Sequence, residues 1–118
     1  MQADAIGELQ KADTLGKHRS TNTIASLGHA YAIAGQRSKA QQMLADLDAR
    51  EKQEPVSRYQ YALIFTGLGD KDRSLALLEE AFRERSTLLT YLKMDARFDP
   101  LRSDPRFAEL LRRIGLPP

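Results

Sequence analysis

The chain has 118 residues and a formal net charge of +2, with 42% of its residues hydrophobic and 29% charged. This composition is typical of one globular domain and argues against a disordered chain. The absence of cysteine excludes a disulfide framework and a thiolate metal site, and no apolar stretch approaches the roughly 20 residues that a membrane-spanning helix requires.

The first predicted element is an amphipathic helix within residues 3–17. Ala5, Leu9 and Ala12 recur at helical spacing and form its apolar face. The same spacing of apolar residues returns in a later predicted helix, which is the second member of a helix pair. We therefore interpret residues 1–19 as a half-repeat, the second helix of a pair whose first helix would precede the chain.

Residues 20–54 predict a first complete pair of helices. Ser20 and Thr21 offer a hydroxyl N-cap, and Gly35 is expected to end the first helix because glycine tolerates a left-handed backbone. A second helix is expected over about 38–52. Its predicted apolar face consists of Ala40, Met43, Leu44 and Leu47.

Residues 55–86 predict a second pair. Pro55 is expected in the first turn of its first helix, where no amide hydrogen is needed, and Gly69 is expected to end that helix. Asp70 is the predicted N-cap of the following helix. The predicted apolar residues are Tyr59, Ala62, Leu63, Phe65 and Leu68 in the first helix, and Leu75, Leu78, Ala81 and Phe82 in the second.

Residues 87–118 predict a degenerate repeat with a capping helix. A short helix is expected over 87–94, followed by an interruption before Pro100. The pair Asp104-Pro105 is expected to start the last helix. The apolar residues of this part, Phe98, Leu101 and Phe107, are expected to cover the end of the helical array, although the segment that they bound could also be a docking epitope.

The two complete pairs repeat with a period of 34 residues. Equivalent positions hold Gly28 and Ala62, Tyr31 and Phe65, Gly35 and Gly69, Ala40 and Ser74, Leu44 and Leu78, and Leu47 and Ala81. Periods of this length are typical of helical arrays in which stacked pairs share a core. We expect Gly28 to face Ala40 where two helices approach closely, and Tyr31 and Phe65 to fill the space between successive pairs.

The pattern Leu27-Gly28-x-x-Tyr31 followed by Ala40-x-x-x-Leu44 resembles the tetratricopeptide repeat. The chain departs from that repeat at the leading tryptophan, the closing proline and the phenylalanine that Leu44 replaces. Val56 to Ser86 with Phe98 to Pro117 also resembles the end of bacterial multidomain regulators, in which such repeats follow a winged-helix, cyclase or protein-kinase domain. The resemblance implies an all-α fold over residues 1–118, a right-handed α-α superhelix of antiparallel pairs with about seven helices.

The resemblance further implies a protein-protein interaction scaffold, a fragment of a larger regulatory signalling protein, that binds a peptide or partner domain in a concave groove. The expected groove residues are Asn22, Ser26, His29, Ile33, Val56, Tyr59, Gln60 and Leu63. Alternatively, this face is a solvated surface or is filled by preceding repeats. A further alternative is self-association, in which a second copy covers the apolar residues Ile6 and Leu9.

Other functions are not supported by the residue pattern. His29 has no second histidine or carboxylate cluster near it in sequence, so we expect no metal site, no cofactor and no enzymatic activity. Gly67-x-Gly69 lacks the Lys-Ser/Thr that follows in a phosphate-binding loop. Acidic and basic residues are interleaved, so we expect no direct nucleic-acid binding. Without a basic start and apolar run at the N-terminus, we expect a cytoplasmic location and no membrane partner.

Overall fold

The computed structural model describes residues 20–115 of the chain, and over this range all regular structure is helical, which confirms the all-α prediction. The α-helices are α1 (Thr21–Ile33), α2 (Arg37–Glu51), α3 (Arg58–Leu68), α4 (Lys71–Arg83) and α5 (Pro105–Ile114), and the 3-10 helices are η1 (Thr87–Tyr91) and η2 (Ala96–Leu101). The half-repeat predicted for residues 1–19 lies outside the described residues, and so do the residues on which the prediction of self-association depends.

Local capping starts three of the helices as the sequence predicts. Ser20, Asp70 and Asp104 each accept a hydrogen bond from a backbone N–H of the following first turn, at distances of 2.9–3.1 Å. These bonds satisfy amide groups that have no partner inside a helix. Pro105 occupies the first turn of α5, where its missing N–H costs nothing.

The predicted start of α3 at Pro55 is wrong. The helix begins at Arg58, and its N-cap is Ser57, whose Oγ accepts a hydrogen bond from the Tyr59 amide at 3.2 Å. The same Oγ lies 2.7 Å from that of Ser86. A hydroxyl that caps the helix two residues beyond the proline thus sets the boundary, and Pro55 belongs to the connection.

The first helices of the two pairs end in the same way. Gly35 and Gly69 have φ angles of +80° and +84°. Beyond them, the Gln36 amide donates to the Tyr31 carbonyl at 2.8 Å and the Asp70 amide donates to the Phe65 carbonyl at 3.0 Å. Both ends are Schellman motifs, so the equivalence of these positions extends from sequence to backbone geometry.

Two hydrophobic clusters meet at α3, which packs against α1, α4 and η2. One cluster joins α1, α2 and α3 and contains Ile24, Leu27, Tyr31, Ala40, Met43, Leu47, Val56, Tyr61 and Ile64. The other joins α3 to α4, η1, η2 and α5, and its largest members are Tyr59, Leu63, Leu78, Leu92, Phe98, Leu101, Phe107 and Leu110. Because α3 contributes to both clusters, its side chains are buried around most of the helix.

The prediction that Phe65 fills the space beyond α3 is wrong. Phe65 is half-buried, whereas its neighbour Ile64 is fully buried. A Cβ atom added to Gly28 would lie 2.6 Å from the Ile64 side chain and 3.1 Å from Met43. Gly28 is therefore the point of close approach between α1 and α3 as well as α2, and the α3 side chain that packs there is Ile64.

The segment after α4 is less helical than predicted. The expected α-helix over 87–94 is the 3-10 helix η1, and Pro100 lies inside η2 instead of ending a helix. Two i to i−3 bonds flank the proline, from the Phe98 amide to the Asp95 carbonyl and from the Arg102 amide to the Asp99 carbonyl, both at 3.1 Å, so Pro100 removes at most one bond of this short helix. Phe98, Leu101 and Phe107 are all buried and belong to one hydrophobic cluster.

Candidate functional site

A cleft of about 360 Å³ lies between α1, α3 and the segment Thr87–Leu101, which we call the covering segment. Its lining residues are Asn22, Ala25 and Ser26 of α1, Tyr59 and Leu63 of α3, and Leu88, Tyr91, Asp95 and Arg97 of the covering segment. The volume is at the lower end of the range found for ligand-binding pockets. The cleft is therefore large enough for a side chain or another small group.

Four of the predicted groove residues line this cleft. Asn22 is exposed and Ser26 half-buried, so they form its rim, whereas Tyr59 and Leu63 form its buried floor. These four residues come from α1 and α3, the helices to which the sequence assigned the groove. The contributions of the covering segment were missed, because that segment was expected to cap the array and not to lie across this face.

The other four predicted groove residues do not line the cleft. Ile33 is 44% exposed at the end of α1, and Val56 is buried in the cluster of α1 to α3. Gln60 is buried and links the two helices, since its Nε2 donates to Asn22 Oδ1 at 2.6 Å. His29 is only 8% exposed. The expectation that these residues form one open face is therefore wrong for Val56, Gln60 and His29, which neighbouring elements cover.

A polar cluster holds the covering segment to α1 and α3. The Tyr59 hydroxyl donates to Asp95 Oδ2 at 2.7 Å. Arg97 donates to both oxygens of the same carboxylate, from Nε at 2.9 Å and from Nη2 at 2.8 Å, and its Nη1 donates to Ser26 Oγ at 3.1 Å. The Phe98 ring packs edge-on against the Tyr59 ring with centroids 5.0 Å apart. Polar and apolar contacts thus converge on Tyr59.

Burial and pairing shift the pKa values in this cluster. Burial opposes ionisation of Asp95, but hydrogen bonds from Arg97 and Tyr59 outweigh it and lower the pKa of the carboxyl group. Burial, with the bond to Asp95, raises the pKa of Tyr59 well above its usual value. Burial, with the nearby Arg97 charge, lowers the pKa of His29. At neutral pH, Asp95 is therefore ionised while Tyr59 and His29 are neutral.

The charged groups of this arrangement are paired with each other. The donors of Arg97 are engaged by Asp95 and Ser26, so the strongest charges in the cleft compensate each other. The apolar floor and the ring of Tyr91, which is 63% exposed, can accept an apolar group. Among residues 20–115, no three His, Asp or Glu side chains are placed to hold a metal ion.

One local signal could have identified the missed residues. Asp95 is the N-cap of η2 and accepts a hydrogen bond from the Arg97 amide at 3.1 Å. In an Asp-x-Arg sequence directly before a buried Phe, the aspartate can cap a helix and also bind the arginine side chain. The pattern therefore places an ion pair next to an apolar residue. Nothing local indicates Ser26 and Tyr59 as partners, since they are 71 and 36 residues from the groups that they bind.

No protein-family model, curated protein or solved structure matches this chain. Its function must therefore be inferred from the residues of the cleft and their geometry. None of the described helices is long and apolar enough to cross a membrane.

Proposed function

We propose that this chain is a protein-binding module of the tetratricopeptide type, which holds a peptide segment of a partner protein with one apolar side chain inserted in the cleft. The observation that carries the proposal is the cleft itself, with a floor of Ala25 and Leu63 and a rim that includes Asn22 and Tyr91. Binding sites in proteins commonly combine an apolar pocket with a few polar groups that orient the ligand.

The equivalence of the two helix pairs supports the proposed repeat architecture. Lys39 Nζ lies 5.5 Å from the centroid of the Tyr31 ring, and Arg73 Cζ lies 5.1 Å from that of Phe65. Both members of this contact recur after 34 residues. Together with the shared Schellman ends, the recurring cation–π contact favours two copies of one structural unit over two unrelated helical hairpins.

The position of α5 supports a third, altered unit. Arg106 Nη2 donates to Asp72 Oδ1 at 2.8 Å, and Arg113 pairs with Glu79. Both pairs join residues 34 positions apart, so α5 lies beside α4 with the offset of one repeat. In the proposed right-handed superhelix, α5 takes the place of a second helix, and η1 and η2 replace the first helix of that unit.

The chemistry of the cleft indicates the kind of partner. An aliphatic or aromatic side chain suits the apolar floor, since burying apolar surface is the main favourable term in such contacts. The exposed Asn22 can hydrogen-bond to the main chain beside that side chain. We place this module in a larger regulatory protein, in which it binds a partner and does not catalyse a reaction.

The test is affinity selection of peptides from a random library on the wild-type chain, followed by measurement of Kd for the selected peptides by fluorescence anisotropy. Tyr91→Ala removes an exposed ring from the cleft and is expected to weaken binding by about tenfold or more, as loss of an aromatic contact does in many interfaces. Met94→Ala is the matched control, because Met94 is 83% exposed in the adjoining turn and does not line the cleft. Equal affinities for both variants, or no selected peptide, would contradict the proposal.

A further inference from the structure

His29 lies at the interface between α1 and the covering segment. Its side chain is buried. One helical turn earlier, Ser26 Oγ accepts the hydrogen bond from the Arg97 side chain. The imidazole therefore lies on the same face of α1 as the residue that binds Arg97, in a place that water reaches poorly.

The groups around His29 come from three elements. The covering segment brings the charges of Arg97 and Asp95, which are paired with each other. From α3 come the uncharged Tyr59, bound to Asp95, and the backbone of Gly67, which approaches the imidazole ring. Facing α1 from α2 are the apolar residues Ala40, Met43 and Leu47, which belong to the other cluster. The Asp95 charge and the Arg97 backbone favour a proton on His29, but burial and the Arg97 charge oppose it more strongly, so the pKa of His29 is lowered.

We propose that His29 makes the docking of the covering segment sensitive to pH, because protonation of its imidazole favours opening of this segment away from α1 and α3. The opened segment exposes His29 to water, where the imidazolium is solvated and no longer faces a confined guanidinium. The cleft is built jointly by α1, α3 and the covering segment. The same opening therefore dismantles the cleft.

The direction of the effect follows from linkage. The pKa of His29 is lowered in the docked state, so opening takes up a proton in the range below the ordinary histidine pKa of about 6.5. The docked state is most stable above that pH range and becomes less stable as the pH falls through it. The equilibrium constant for opening increases by up to about tenfold for each pH unit. Asp95 stays ionised over the same range because its own pKa is lowered, so within this cluster the effect belongs to His29.

Hydrogen exchange of backbone amides tests the proposal. Protection factors are measured between pH 7.5 and 5.0 for the bonded amides of Leu92 and Phe98 and for amides of α2. In the wild type, protection of the covering segment is expected to fall as the pH falls, while that of α2 is retained. His29→Gln, which stays neutral, is expected to remove this dependence, and His18→Gln is expected to retain it.

Two results would overturn the inference. One is a loss of protection that is the same in wild type and His29→Gln, or that is shared equally by α2 and the covering segment. The other comes from the wild-type chain alone and does not depend on a variant that folds: an NMR titration in which the His29 imidazole titrates at or above the ordinary histidine value. Neither measurement uses a bound peptide, so the outcome is independent of the proposed binding function.

Discussion

At the scale of single residues, the backbone after four of the described helices turns into the left-handed region. Glycine occupies this position after α1, α3 and α5, but Arg85 occupies it after α4 with φ +57°. The Ser86 amide donates to the Ala81 carbonyl at 3.0 Å, so this end closes in the same way as those at Gly35 and Gly69. Since a side chain carries a steric cost in this conformation, Arg85 strains a turn that glycine would make freely.

Arg85→Gly is therefore expected to increase the free energy of unfolding by about 1 kcal/mol, since the left-handed cost for a residue with a Cβ atom is about 1–2 kcal/mol. The change is measured by urea denaturation followed by circular dichroism. Arg85→Ala is the control, because it removes the same charged side chain and retains the strained Cβ atom. If Arg85→Ala stabilised the protein as much as Arg85→Gly, the gain would come from the lost charge.

At the scale of elements, the short 3-10 helix η2 supplies the buried aromatic ring that we had expected from Phe65 of α3. Phe98 of η2 is fully buried and contacts both Tyr59 and Phe107, at ring-centroid distances of 5.0 and 6.5 Å. Phe65 is half-buried beneath the Arg73 guanidinium. The fully buried aromatic ring at this place is therefore that of Phe98 in η2 and not that of Phe65 in α3.

We expect Phe98→Ala to lower the free energy of unfolding by about 3–5 kcal/mol, the usual range for a fully buried phenylalanine. Phe65→Ala should cost less than half as much, because the ring is only half-buried and packs against the Arg73 side chain. Denaturation curves of the two variants give the comparison. Equal decreases in the free energy of unfolding would show that Phe65 fills the space between successive pairs, as we predicted from the sequence.

At the scale of the whole molecule, α3 is common to both hydrophobic clusters. Tyr61 and Ile64 belong to the cluster with α1 and α2, whereas Tyr59 and Leu63 belong to the cluster with η2 and α5. Neither cluster can lose α3 without losing a large part of its apolar contacts. The two clusters are therefore coupled through one shared helix.

At pH 7.5, we expect one cooperative unfolding transition for both clusters. Tyrosine is the only suitable fluorophore because the chain has no tryptophan, so the two probes are tyrosine fluorescence and helical circular dichroism. Coincident midpoints in urea are the expected result. Separate midpoints that shift independently with Ile64→Ala and Leu110→Ala would show that the clusters unfold as independent units.

The local features of this chain were predictable because neighbours in sequence decide them. The caps at Ser20, Asp70 and Asp104 and the glycine ends at Gly35 and Gly69 each depend on hydrogen bonds within one or two helical turns. The amphipathic spacing likewise predicted the bounds of α2 to within one residue of the observed Arg37–Glu51. Over residues 20–115, sequence alone thus determined the α-helical class and the matching ends of the first helices of the two pairs.

Only the tertiary structure decided how the covering segment lies. Its position depends on contacts such as Tyr59 with Asp95 and Arg97 with Ser26, which are 36 and 71 residues apart in sequence. No periodicity encodes those partners, and Val56, Gln60 and His29 were therefore assigned to an open face that the fold covers. The residues of a helix determine which of its faces is apolar. Whether a face is exposed depends on the elements that the rest of the chain packs against it.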